Sequence, residues 1–159
     1  MRGRLMFGVG TLAALLAVGS CKDDVGLTSI PPAPERYIAF LSGANEPTPI
    51  TTAAQGLATV TVTVNGDSIH YRIELSNIDS AFLAHIHHGP AGKSSGVIRD
   101  LYIPPRLSTD SNFSGLLIDS TISVTAAVLS QIRADTTYVN VHTKLNPGGE
   151  IRGQLFRFQ

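Results

Sequence analysis

The chain contains very little sulfur and no tryptophan. Its 159 residues include one cysteine, Cys21, and no Trp. A single cysteine excludes an intramolecular disulfide, so a hydrophobic core rather than cross-links must stabilise the folded part. The lack of Trp, together with the few aromatic residues that the pattern exposes, gives little support to a glycan-binding domain.

The chain also lacks an excess of charge of either sign. Its 12 Lys and Arg residues balance 12 Asp and Glu residues, and no basic block is present. Because nucleic acids and anionic lipids are bound through clustered positive charge, nothing indicates either as a partner. The chain shows no Ser/His/Asp spacing, nucleophile elbow or phosphate loop, which favours a non-catalytic protein.

The N-terminal segment predicts export. Arg2 and Arg4 precede an uncharged run that is too short and too rich in glycine for a membrane span. The run ends Val18-Gly19-Ser20-Cys21, which resembles the lipobox of bacterial lipoproteins. An ordinary signal peptide, or an uncleaved anchor with an incidental cysteine, is the alternative. We expect residues 1–20 to be a lipoprotein signal peptide and Cys21 to carry the lipid.

Residues 21–36 are then an acylated, proline-rich tether. The segment Pro31-Pro32-Ala33-Pro34 favours extended backbone and holds the domain away from the membrane. The lipid on Cys21 is expected to anchor the chain to the bacterial cell envelope. Aspartate after the cysteine would indicate inner-membrane retention in enteric bacteria; Lys22 stands there instead, which favours the outer membrane.

Residues 37–159 carry the pattern of one all-β domain. The predicted strands cover residues 37–41, 56–64, 68–76, 82–88, 97–103, 116–123, 138–142 and 150–158, with one short helix over 125–134. Asn65-Gly66 separates two strands of alternating apolar residues and predicts a hairpin with a type I′ turn. Short strands with regular turn signals indicate an antiparallel β-sandwich or barrel.

Three of the five histidines fall on one predicted strand, as His85, His87 and His88. Residues two apart point to the same side of a strand, so His85 and His87 share a face, opposite to Ala84 and Ile86. His88 points the other way and is a poor co-ligand for its neighbours.

His142 lies on another predicted strand, where it alternates with valines. If the aliphatic residues face the core in both strands, His85, His87 and His142 lie on the outer side of the sheet. Three neutral imidazoles within reach of one another bind Zn(II) or Cu(II), with water, Glu150 or an Asp as the fourth ligand. The alternative is a polar cluster bonded to backbone and water.

Four segments in combination resemble the chordin-type domain family, called CHRD. They are Leu41-Ser42-Gly43-Ala44-Asn45-Glu46-Pro47, Ala84-His85-Ile86-His87-His88-Gly89-Pro90-Ala91-Gly92, Tyr138-Val139-Asn140-Val141-His142-Thr143 and Asn146-Pro147-Gly148-Gly149-Glu150-Ile151-Arg152-Gly153-Gln154-Leu155. The resemblance runs from about Tyr37 to Phe158. It implies a β-rich extracellular domain without an assigned activity, which acts as a binding or structural module for an unidentified protein or glycan.

The family pattern also contains His85, His87, His142, Glu150 and Arg152. Glu150 and Arg152 alternate on one side of the last strand. They are expected to form an ion pair or a supporting layer behind the histidines. The alternative is a surface salt bridge of little energetic weight.

A weaker resemblance connects the chain to copper/zinc superoxide dismutase. That family has a His-x-His strand, a later Val-x-Val-His strand and a glycine-rich turn near its C-terminal strand, and its copper lies on the outer side of a β-barrel. The resemblances imply an immunoglobulin-like or superoxide-dismutase-like fold that could hold one copper or zinc. This chain lacks the bridging histidine, zinc ligands and disulfide of the dismutases, so dismutase activity is not expected.

Overall fold

The computed structural model describes residues 33–103 and 108–159, so the predicted signal peptide, Cys21 and most of the tether lie outside the described residues. The described residues form nine strands, one 3₁₀ turn and one helix. In chain order these are β1 (Arg36–Ser42), the 3₁₀ turn (Gly43–Asn45), β2 (Gln55–Val62), β3 (Ser68–Ile78), β4 (Ala81–His88), β5 (Val97–Tyr102), β6 (Phe113–Ser123), α1 (Ala126–Arg133), β7 (Thr137–Thr143), β8 (Ile151–Gln154) and β9 (Phe156–Arg157).

The strands form a nearly closed antiparallel barrel. Neighbours follow the order β5-β4-β7-β8-β1-β2-β3-β6, and β9 pairs with β1. The sheet curls until its two edge strands, β5 and β6, line one cleft. The Tyr71 hydroxyl on β3 bridges the gap by donating a 2.8 Å hydrogen bond to the Leu101 carbonyl on β5. The predicted all-β fold with one helix is confirmed.

The core fills the inside of this barrel because strand residues alternate between apolar and polar. On β3, Ile69 and Ile73 are fully buried, whereas His70 between them is exposed. Full burial of one such aliphatic side chain stabilises the fold by roughly 1.5–3 kcal/mol. Aliphatic residues of β4, β7 and β8 face the same interior, so the sites described below lie on the opposite, outer side of the sheet.

Helix α1 adds Leu129 and Ile132 to this core. The helix begins after Thr125, whose side chain accepts a hydrogen bond from the Val128 amide and so caps the first turn. No helix in the described part of the chain is long and apolar enough to cross a membrane.

The hairpin between β2 and β3 forms with a different turn from the predicted one. The Gly66 amide donates to the Thr63 carbonyl at 2.8 Å. Gly66 has a positive φ of 67°, but Asn65 is not among the residues with positive φ. A type I′ turn needs positive φ at both central residues, so the connection is a longer loop instead. Val64, predicted to lie in the strand, is exposed in this loop.

The predicted last strand, residues 150–158, divides into β8 and β9. Leu155 lies between them, fully buried, and its amide donates to the Thr137 carbonyl at 2.9 Å. As a result β8 pairs with β7 on one side and with the end of β1 at Ser42 on the other, and β9 continues the pairing with β1 at Ile38 and Tyr37.

The backbones of β8 and β1 approach closely at Gly153. A Cβ at Gly153 would overlap the Phe40 carbonyl, a backbone group that cannot move aside. We therefore expect Gly153→Ala to lower the free energy of unfolding by about 1–3 kcal/mol or more, measured by urea denaturation. Gly96→Ala is the matched control, since nothing lies within 4 Å of its Cβ position. Equal stabilities of the two variants would contradict this close approach.

Candidate metal centre

Strand register brings the three predicted histidines together. On neighbouring strands β4 and β7, His85 lies opposite Asn140, and His87 lies opposite Tyr138. His142 follows Asn140 by two residues and shares its face, which places it diagonally from His85. One ring nitrogen from each of the three histidines lies within 4.8 Å of the other two.

The cluster lies on the outer face of the sheet, yet it is buried. Ile86 and Val139, which alternate with these residues, point into the barrel core and are 0% exposed. His85, His87 and His142 point the other way and are still only 9%, 7% and 7% exposed. The alternation predicted the face, but it did not predict the cover. Residues that contact the three rings from outside the two strands are Ser95 in the loop of residues 89–96 at His87, Pro147 at His142 and Asp100 at His85.

Two of the imidazoles direct one nitrogen to a backbone carbonyl. His87 Nδ1 donates to the Ser95 carbonyl at 2.8 Å, and His142 Nδ1 donates to the Pro147 carbonyl at 2.9 Å. A carbonyl only accepts, so each Nδ1 carries the ring proton in the neutral form. The Nε2 lone pairs of both residues then face the cluster. This is the arrangement in which the outer hydrogen bond of a metal-binding histidine sets its tautomer.

His85 faces the cluster with its Nδ1, whereas His87 and His142 face it with Nε2. Its Nδ1 lies 3.1 Å from His142 Nε2, and its Nε2 lies 3.6 Å from an oxygen of Asp100 on the neighbouring strand β5. A tetrahedral ion with nitrogen ligands at about 2.0–2.1 Å separates them by roughly 3.4 Å. The contact between His85 and His142 approaches that spacing, and a ring nitrogen of His87 lies within 4.8 Å of both.

The side-chain amide of Asn140 lies between two of these nitrogens. Its Oδ1 is 3.0 Å from His87 Nε2 and 3.1 Å from His142 Nε2. An amide can turn its NH₂ group to the same position and then donate to both lone pairs. Asn140 therefore satisfies the cluster without an ion, and an ion at the same position would replace it as the partner of the nitrogens.

Burial favours the uncharged form of two of the imidazoles, His85 and His142. Loss of hydration is the largest cause that lowers the pKa of His85, to about 4; the charge of His142 adds to it, and Asp100 opposes it. Burial is also the main cause that lowers the pKa of His142, against the hydrogen bond to Pro147, which raises it. Neutral imidazole is the form that binds a metal ion, so the site is ready for one at neutral pH.

Arg152 and Tyr138 support His87. The Tyr138 ring stacks on the His87 imidazole with an interplanar angle of 1° and centroids 4.7 Å apart. The guanidinium of Arg152 lies over the Tyr138 ring, 3.3 Å from its centroid. Arg152 also donates to the carbonyls of Pro90 and Lys93, both at 2.9 Å, so it holds the covering loop in place.

Glu150 supports a different part of the cluster. It accepts hydrogen bonds from the side chains of Thr52, Thr143 and Asn146 at 2.7, 2.5 and 3.1 Å. These bonds anchor the turn that carries Pro147, the acceptor for His142. Glu150 and Arg152 form no ion pair with each other among the contacts of the described chain, and both are buried. Neither the expected ion pair nor the surface salt bridge forms.

The remaining histidines lie elsewhere. His88 ends β4 on the exposed side, 2.9 Å from the Thr136 hydroxyl, and His70 pairs with Asp119 on the barrel surface. Sequence reasoning missed Tyr138 and Asn140 as parts of the site. Their signal was available, because both share the face of His142 on the same strand.

The low pKa of His85 predicts how stability depends on pH in the metal-free domain. Its pKa falls from 6.5 to about 4 on folding, so the unfolded chain binds more protons between these values. The stabilisation is complete above about pH 6.5 and is lost as the pH falls toward about 4, on the order of 3 kcal/mol. Urea denaturation of wild type and His85→Gln across this range would measure it. An equally steep dependence in the variant would contradict the assignment.

Comparison with known proteins agrees with the predicted resemblance. A sequence model of the CHRD domain matches residues 37–155, a span that includes all three clustered histidines, Glu150 and Arg152. No curated protein and no solved structure matches the chain, so the weaker similarity to superoxide dismutase gains no support. The family match covers about three quarters of the sequence and nearly all of the barrel. The chain belongs to the CHRD domain family.

Proposed function

We propose that this CHRD protein is a lipid-anchored, non-catalytic module of the cell envelope whose buried histidines hold one copper or zinc ion. The family match and the barrel support a binding or structural module. The metal is inferred from one observation. The carbonyls of Ser95 and Pro147 accept hydrogen bonds from the Nδ1–H groups of His87 and His142, so the Nε2 lone pairs of both rings face the space beside His85.

The polar-cluster alternative pairs the same lone pairs with the Asn140 amide and, for His142, with the His85 Nδ1 that lies 3.1 Å away. Buried acceptors are normally paired with donors. Here His87 and His142 direct two acceptors inward, and the Asn140 amide is the neighbour placed to donate to both. A metal ion satisfies the same lone pairs at once and also accepts a third from His85.

The chemistry of the ligands selects the metal. Three imidazoles without a thiolate suit Zn(II) or Cu(II) rather than the oxygen-preferring Mg(II) or Ca(II). Glu150 is held by three hydrogen bonds on its own side of the turn and is therefore not the fourth ligand. Water is the remaining choice for that position. Asp100 faces His85 and would set its orientation.

Metal analysis of purified protein tests this proposal. We expect one ion per wild-type chain after incubation with Cu(II) or Zn(II) and dialysis. His87→Ala removes a ligand and should weaken binding by more than about a hundredfold, which is the upper end of the loss from an altered supporting residue. His88→Ala is the matched control, because His88 is exposed at the end of the same strand. Equal metal content in wild type and His87→Ala would exclude the site.

The anchor is inferred from the lipobox and is tested separately. Cys21→Ser removes the thiol that would carry the lipid. We expect the variant to lose the acyl mass seen by intact-protein mass spectrometry and to move from the detergent phase to the aqueous phase on Triton X-114 partition. A wild-type protein that is unacylated and aqueous would remove the anchor while leaving the metal proposal intact.

A further inference from the structure

A second candidate site lies beside the metal centre. A cleft of about 450 Å³ opens between β1, the end of the barrel at β8 and β9, and the loop that covers the histidines. Exposed Phe40 and Phe156 line it, as do buried Glu46 and Arg152. None of the three clustered histidines lines this cleft, although Arg152 belongs both to the cleft and to the surroundings of His87.

Glu46 is the residue in the cleft that requires an explanation. It is 8% exposed, and its Oε1 is shielded from water without a hydrogen-bond partner. Arg152 is its nearest source of positive charge, but the donors of Arg152 point to Pro90, Lys93 and Gln154. A buried carboxylate without a donor costs free energy, so such groups usually have a role beyond packing.

The side chain of Glu46 packs against a glycine. Gly149 has a φ of 127°, and a Cβ there would lie 2.6 Å from Glu46 Oε1, so only glycine leaves room for the acid. Burial raises the pKa of Glu46, and the charge of Arg152 lowers it. Arg152 therefore favours the ionised form while directing its own hydrogen bonds elsewhere.

The aromatic residues supply the second half of the chemistry. Phe40 and Phe156 are 65% and 59% exposed, although Phe is a residue that folding normally buries. Phe156 lies opposite Ile38, two residues from Phe40 on the same face of β1, so the two rings are diagonal neighbours. The face of an aromatic ring attracts a cation, and adjacent aromatic residues are used to bind ammonium groups.

We propose that this cleft binds an organic ammonium group carried on an apolar body, with Glu46 as the counter-ion and Phe40 and Phe156 as the walls. A neutral hydroxyl ligand could donate to the carboxylate, but it would gain nothing from the electron-rich ring faces. The ammonium group can come from a free small amine or from a lysine side chain of a partner protein. The site depends neither on the metal nor on the lipid.

Calorimetric titration of the full chain in the presence of EDTA tests the proposal with three probes. Benzylamine carries the proposed chemistry, benzyl alcohol has the same shape without the charge, and lysine capped at both ends represents a protein side chain. We expect benzylamine to bind at least tenfold more tightly than benzyl alcohol. Glu46→Gln, nearly the same shape as the wild type, should abolish that difference, and Phe156→Ala should weaken benzylamine binding.

The relative affinities of the three probes show whether the cleft binds an ammonium group and where that group comes from. Tighter binding of benzylamine than of capped lysine assigns the cleft to free amines, and the reverse assigns it to a lysine of a partner protein. Equal binding of benzylamine and benzyl alcohol by wild type would overturn the proposal without any variant. Unchanged benzylamine binding by a folded Glu46→Gln protein, or no binding of any amine probe, would also overturn it.

Discussion

The buried guanidinium of Arg152 is the interaction on which the outer face of the barrel depends. This side chain is 1% exposed and is the largest among the fully buried ones. Among the described residues, no carboxylate accepts a hydrogen bond from it. Its N–H groups donate instead to neutral oxygens of the loop and of Gln154, and the guanidinium lies over the Tyr138 ring. A buried charge must be compensated or its removal from water destabilises the fold. The loop therefore has to close over Arg152, and in closing it also covers the histidines.

That closure gives the protein a second, polar interior beside its apolar one. All seven residues of β7 are buried, with valines facing the barrel core and Tyr138, Asn140 and His142 facing the covered side. Burial lowers the pKa of His85 and of His142 in this polar interior, and it raises the pKa of Glu46 against the charge of Arg152. One strand thus contributes its apolar face to the barrel core and its polar face to the candidate site.

Much of this arrangement could be predicted from the sequence, because strand alternation is local. The period of two in β3, β4 and β7 assigned the correct faces to the aliphatic residues, and from them to His85, His87 and His142. The burial of those histidines could not be predicted, since the covering loop is rich in glycine and serine and carries no pattern that shows where it lies. The role of Glu46 was equally hidden. It depends on contact with Gly149, about a hundred residues away, and on tertiary packing that no single segment encodes.

The incomplete closure of the barrel affects how an ion would reach the histidines. Within the described chain, β5 and β6 are sheet edges, and the Tyr71 side chain spans the gap between β3 and the Leu101 backbone. A seam held by side chains separates more easily than a ladder of backbone hydrogen bonds. Asp100 lies on β5 with its half-exposed carboxylate directed at His85. Movement of this edge strand would thus shift the acidic group of Asp100, which attracts cations, relative to His85, while Arg152 keeps the loop above the site closed.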